Sequence, residues 1–135
     1  MNRVFKTFIW LGKIAFVISA IVVIAFNLWL PDMCGNYFHS ESFSPNGELK
    51  AVIFQRDCGA TTGFSTQISI LDVDDKLENE MGNVFRIAGH PDKVAPNVVW
   101  ESNSVLIIDK HISGKEYFLE TSYGWLNPVK IRYGG

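Results

Sequence analysis

Cys58 is the most nucleophilic side-chain type that the sequence places in a loop, within Asp57-Cys58-Gly59-Ala60-Thr61-Thr62-Gly63. An imidazole beside it, from His39, His90 or His111, would stabilise the thiolate and make a nucleophile and base pair. The spacings match no catalytic pattern, so no residue is assigned a catalytic role. The same loop has a second use. Gly59 and Gly63 permit positive φ, and Asp57, Gly59, Thr61, Thr62 and Gly63 together offer a carboxylate, backbone N–H groups and hydroxyls to a ligand. These five are the candidate binding residues, against the plainer reading of a hairpin loop shaped for packing.

Cys34 is the other cysteine, and both lie after the apolar N-terminal run. In an oxidising compartment two such cysteines are expected to form one bridge, Cys34 to Cys58, rather than two free buried thiols. Closing that loop of 24 residues is worth about 3 kcal/mol in the chain-entropy model. Metal chemistry finds little support. The three histidines are scattered, and neither cysteine belongs to a Cys-x-x-Cys pair. Residues 72–80 hold five of the fourteen acids, but Lys76 and Leu77 stand where a calcium loop of the EF-hand type needs an oxygen ligand and a glycine. That segment reads as a solvated acidic turn or one short helix, and no metal or cofactor is expected.

The elements that carry these residues divide into an anchor and an outer domain. From Phe8 to Leu30 the only charge is Lys13, and Trp10 and Trp29 stand nineteen residues apart near the two ends. At about 1.5 Å per residue that separation matches a hydrocarbon core roughly 30 Å thick. A cleaved signal would have a shorter core and a small-x-small site, whereas this run closes with Asn27-Leu28-Trp29-Leu30-Pro31-Asp32. A lipoprotein would need small residues before Cys34, where Pro31-Asp32-Met33 stands instead. The expectation is a transmembrane helix with residues 8–30 in the bilayer. Arg3, Lys6 and Lys13 are the only charges before Leu30, which places the N-terminus in the cytoplasm. The chain then parses as residues 1–30, flank and transmembrane helix; 31–36, stalk; and 37–135, an extracytoplasmic β-rich domain.

Past Leu30 nine basic residues face fourteen acidic ones, net −5, which argues against a nucleic-acid partner. The hydrophobic period becomes alternating, with turn residues every 8 to 12 positions, so the fold class is mainly β: a small antiparallel sheet or sandwich after the helix. Residues 48–56 read as the central strand, buried on both faces through Ala51-Val52-Ile53-Phe54. Residues 64–72 alternate, with Phe64, Thr66, Ile68 and Ile70 inward and Ser65, Gln67 and Ser69 toward solvent. Further strands are expected at 83–88, 98–100, 105–109, 116–120 and 129–133, with a hairpin turn at 101–104 and another at 111–114. Trp100, Trp125, Phe54, Phe64, Phe85 and Phe118 are the aromatic candidates for the core. Tyr117, Phe118, Tyr123, Trp125 and Tyr133 read mostly as core, or alternatively as an exposed recognition patch.

Two stretches resemble known families. Ser44-Pro45-Asn46-Gly47-Glu48-Leu49-Lys50-Ala51-Val52 resembles the S-P-D-G-K-x-x-A-x turn and strand of TolB-type β-propellers, and Trp100-Glu101-Ser102-Asn103-Ser104-Val105-Leu106-Ile107 resembles their W-S-x-D-x-x-L-x-F hairpin. Closure takes about 4 to 8 four-stranded blades, and the outer segment has room for two at most. Arg56-Asp57-Cys58-Gly59-Ala60-Thr61-Thr62-Gly63-Phe64-Ser65-Thr66 is similar to a signature of small bacterial proteins that join an N-terminal apolar segment to a short β-rich domain. That resemblance implies a bacterial envelope protein in the inner membrane and brings no activity with it. The expected function is a non-enzymatic binding protein at the membrane surface, part of an envelope complex or an immunity-like factor, with an unidentified protein partner. The alternative is a small envelope enzyme, a hydrolase or thiol-dependent catalyst, using Cys58.

Overall fold

The computed structural model describes residues 2–30, 33–59, 63–109 and 114–134. The chain divides into two compact units, Met1–Asp32 and Met33–Gly135. The first is helix α1 (Arg3–Trp29), about 40 Å long at 1.5 Å per residue and apolar enough to cross a membrane. It begins before the apolar run because nothing in residues 3–7 breaks a helix. Two of its polar side chains bond inward along the helix: Thr7 donates to the Arg3 carbonyl at 2.8 Å and Asn27 to the Val23 carbonyl at 2.7 Å. Leu30 is extended, as a residue before proline is driven to be, and the helix stops there.

The second unit is a mostly antiparallel β structure of two sheets. The larger has the order β1 (Gly35–Phe43), β2 (Leu49–Asp57), β3 (Phe64–Asp72), β4 (Phe85–Ala88), β7 (Glu116–Leu119). The smaller runs β5 (Asn97–Ser102), β6 (Val105–Asp109), β9 (Val129–Tyr133), β8 (Ser122–Tyr123), and its β6–β9 pair is parallel. Between the sheets lies the core. Ala51, Ile53, Ile68, Ile70, Phe85 and Ile87 of the larger sheet pack with Trp100, Leu106, Ile108, Val129 and Ile131 of the smaller. Each fully buried side chain of this size contributes about 1.5–3 kcal/mol relative to exposure. A helical turn, α2 (Pro91–Val94), adds Val94, and the Trp100 indole donates to the Ser42 carbonyl at 2.9 Å, joining the sheets at β1.

Several expectations shift. The central strand is β3, with β2 one place nearer the edge. β1 starts at Gly35, so the tether expected at residues 31–36 gives its last two residues to the sheet. The face of β3 that carries Gln67 and Ser69 is buried rather than solvated, because residues 73–84 return across it. Gly82 donates its N–H to Gln67 Oε1 at 2.6 Å, and Asn83 donates its own to Ser69 Oγ at 3.2 Å. The Asn83 amide also bonds both the N–H and the carbonyl of Ile70 at 2.9 Å, standing in for a neighbouring strand. The acidic stretch is the start of this strap and forms no helix; it turns once, with Asp75 N–H on the Asp72 carbonyl. Of the aromatic candidates, Phe54, Phe85 and Trp100 are buried, whereas Phe64 and Trp125 are exposed and Phe118 is half-buried.

Candidate functional site

The loop singled out in the sequence leaves the paired end of β1 and β2, where Gly35 faces Asp57. Cys34 and Cys58 occupy the next rung of that ladder and are bonded to each other. Neither is a free thiol, and Cys58 is a crosslink in this structure. The Asp57 carboxylate accepts the Gly59 N–H at 2.9 Å, a local turn of the kind aspartate favours. Gly59 and Gly63 have φ of 104° and 71°, the left-handed region that glycine alone enters without strain. Thr61 and Thr62 lie outside the described residues.

Of those five residues, Gly63 lines a cleft of about 310 Å³ that the sequence did not reveal. Its rim is Phe64, Met81 and Tyr117, exposed by 50%, 57% and 58%. Its floor is polar: Arg56, Ser65 and Gln67, with Arg56 and Gln67 nearly inaccessible. The Gln67 amide donates to Ser65 Oγ at 2.9 Å and to the Tyr117 hydroxyl at 3.3 Å, while its oxygen holds Gly82. The Arg56 guanidinium donates to Asn36 Oδ1 at 2.8 Å and Asn79 Oδ1 at 3.1 Å. Asn79 in turn donates to the Cys34 carbonyl at 2.6 Å, and Asn36 donates to the Glu78 carbonyl at 2.9 Å. The disulfide, the strap and the cleft floor are therefore one hydrogen-bonded system, which fixes the floor beneath the exposed rim.

Neighbouring groups complete the surroundings. The Arg86 guanidinium lies 4.0 Å above the Phe118 ring and donates to the Gly82 carbonyl at 2.8 Å, which holds β4, β7 and the strap together. His90 caps α2 through Nδ1 and meets the edge of Phe64 at 5.9 Å. His39 lies on edge strand β1, and His111 is outside the described residues. No group of three metal-ligating side chains forms among the described residues.

The aromatic tail splits in two. Tyr117 belongs to the cleft rim, and Trp125 is 87% exposed. The Tyr133 hydroxyl lies 2.6 Å from the Glu120 carbonyl and 3.2 Å from that of Val84, and burial pushes it up to about 12. Tyr123 is raised as well, by burial first and then by the charges of Asp72 and Asp75.

Comparison with protein-family models, with curated proteins and with solved structures finds no match to this chain.

Proposed function

We propose that this chain is a single-pass protein of a bacterial inner membrane that binds a protein partner on the outer side and performs no chemistry of its own. Residues 8–30 lie in lipid, the end bearing Arg3, Lys6 and Lys13 stays in the cytoplasm, and the β-rich unit is exported. The observation that carries the binding reading is the rim of Phe64, Met81 and Tyr117 over a floor already satisfied by its own hydrogen bonds. Large side chains on a rigid base are the kind that dominate protein interfaces, and methionine adapts its shape to what it meets. Export is supported by the Cys34–Cys58 bond, which persists in an oxidising space, and insertion by Asn27 of α1, whose amide bonds back to the Val23 carbonyl where lipid offers no partner to a polar group. The partner is either a component of an envelope complex or an incoming protein that is held off.

A photocrosslinking residue placed at Tyr117 in the full-length, membrane-embedded protein tests the binding role. A discrete protein adduct that disappears with Phe64→Ser is expected. Absence of any adduct, or one indifferent to Phe64→Ser, overturns it. A reporter fused after Gly135 tests the topology separately, and activity confined to the cytosol would sink it.

A further inference from the structure

We propose that the end of the β-rich unit opposite the disulfide is a carbohydrate-binding site, a cleft of about 410 Å³ that takes a neutral polyhydroxylated sugar. β1 and β2 run nine residues each from the Cys34–Cys58 rung to the turn at residues 44–48. That turn meets the β5–β6 turn at Asn103, and residues 124–128 lead into β9 beside them. The two stretches that resemble propeller turns thus converge on one place, and the reading of the Phe64 cleft plays no part in what they do there.

Asn46, Asn103 and Asn127 line this cleft with Glu48, Ser104 and Pro128. Asn46 Oδ1 accepts from the Glu48 N–H at 3.1 Å and from the Ser44 hydroxyl at 2.8 Å, and Asn103 Oδ1 accepts from the Asn46 N–H at 2.8 Å. These bonds fix which amide atom is oxygen and hold both amide planes. The fold uses only the oxygens, a task aspartate performs equally well in such turns. Each Nδ2 is left as an oriented donor without a protein acceptor among the described residues, and Glu48 adds an acceptor beside them.

Fixed donors next to an acceptor complement a sugar hydroxyl, which both gives and takes a hydrogen bond. Other ligand classes fit less well. No lysine or arginine lines the cleft to hold an anion, and the single carboxylate falls short of the six or so oxygen ligands that a calcium ion takes. Trp125, exposed by 87%, is two residues before the cleft-lining Asn127 in the chain; it does not line the cleft itself, and its indole is assigned to the C–H face of a pyranose ring that extends beyond the rim.

The test uses the full chain in phosphatidylcholine nanodiscs, free of sugar-based detergent, titrated with chitotetraose, cellotetraose and maltotetraose by saturation-transfer NMR and calorimetry. Saturable binding of at least one tetrasaccharide in the millimolar range or tighter is expected. Asn46→Asp and Asn103→Asp keep the structural acceptor and delete the donor, so each should weaken binding about tenfold while Tm holds. Trp125→Ala should also weaken it about tenfold, and its exposure makes a folding defect an unsuitable explanation. No saturable binding of any of the three sugars overturns the proposal, as does binding that is indifferent to all three substitutions.

Discussion

On one face of the five-stranded sheet Ala51, Ile53, Ile68 and Ile70 meet the smaller sheet. On the other, Val52, Phe54, Arg56, Gln67 and Ser69 are equally buried, with the strap of residues 73–84 bonded to the last three. The first face is held by area removed from water and needs only shape. The second mixes aliphatic, amide, hydroxyl and guanidinium groups, so it needs a named partner for its polar atoms, and the strap supplies several of them beside Asn36, Ser65 and Tyr117. Alternation along β3 therefore marks two kinds of neighbour, one apolar and one polar, and does not mark an inside and an outside.

The largest effect is expected on the apolar face. Ile68→Ala, at a site with no exposure, should cost about 4 kcal/mol, measured by urea denaturation. If it costs less than Gln67→Ala, the contrast between the faces fails. Next, Cys34→Ser and Cys58→Ser should each lose about 3 kcal/mol, equally, and the double variant no more than either. A loss confined to Cys58→Ser would restore a separate role for that sulfur.

On the polar face, Gln67→Ala leaves the buried Gly82 N–H without its acceptor and should cost about 2 kcal/mol. Gly82→Ala probes the same closeness from the other side, since a Cβ there would stand 2.8 Å from Gln67 Cβ and 2.9 Å from the Ile68 carbonyl oxygen. It should raise amide exchange along residues 79–84 more than in β6, because it loosens the strap while the inter-sheet core stays closed.

The smallest effect concerns Tyr133. Tyr133→Phe should cost about 1 kcal/mol at neutral pH through its lost hydrogen bond. Because the folded hydroxyl titrates near 12 against 10 for the free group, the native state holds its proton longer than the unfolded chain does. That contribution is complete below pH 10 and fades as pH rises toward 12, so the wild type should lose stability across that window more steeply than Tyr133→Phe.

Local patterns made much of this fold legible. The helix, β2, β3 and the β5–β6 hairpin each announce themselves within ten to thirty residues, through an unbroken apolar run, through Ala51-Val52-Ile53-Phe54, or through two apolar runs around a polar turn. β1 was hidden because it is an edge strand with Tyr37 and Phe38 both exposed and a bulge at His39, so no inward-facing alternation shows in its sequence. The loop at the site was visible in its glycines, but the cleft was not. Phe64, Met81 and Tyr117 come together only through the β3–β4–β7 order and the strap, and no short-range signal encodes that order. Phe64 read as core for the same reason, since a residue at the mouth of a hairpin shares the alternation of the residues that follow it.

β9, the last strand in the chain, sits between β6 and β8 rather than at an edge, and it brings Val129 and Ile131 into the core. The β5–β6 ribbon therefore waits with an unfilled flank while some twenty residues of later chain are delivered, and only then does the second layer close. Closure of this unit is therefore a late, all-at-once event, and a chain halted before residue 129 would expose the unpaired flank of β6 together with the apolar inner face of the larger sheet.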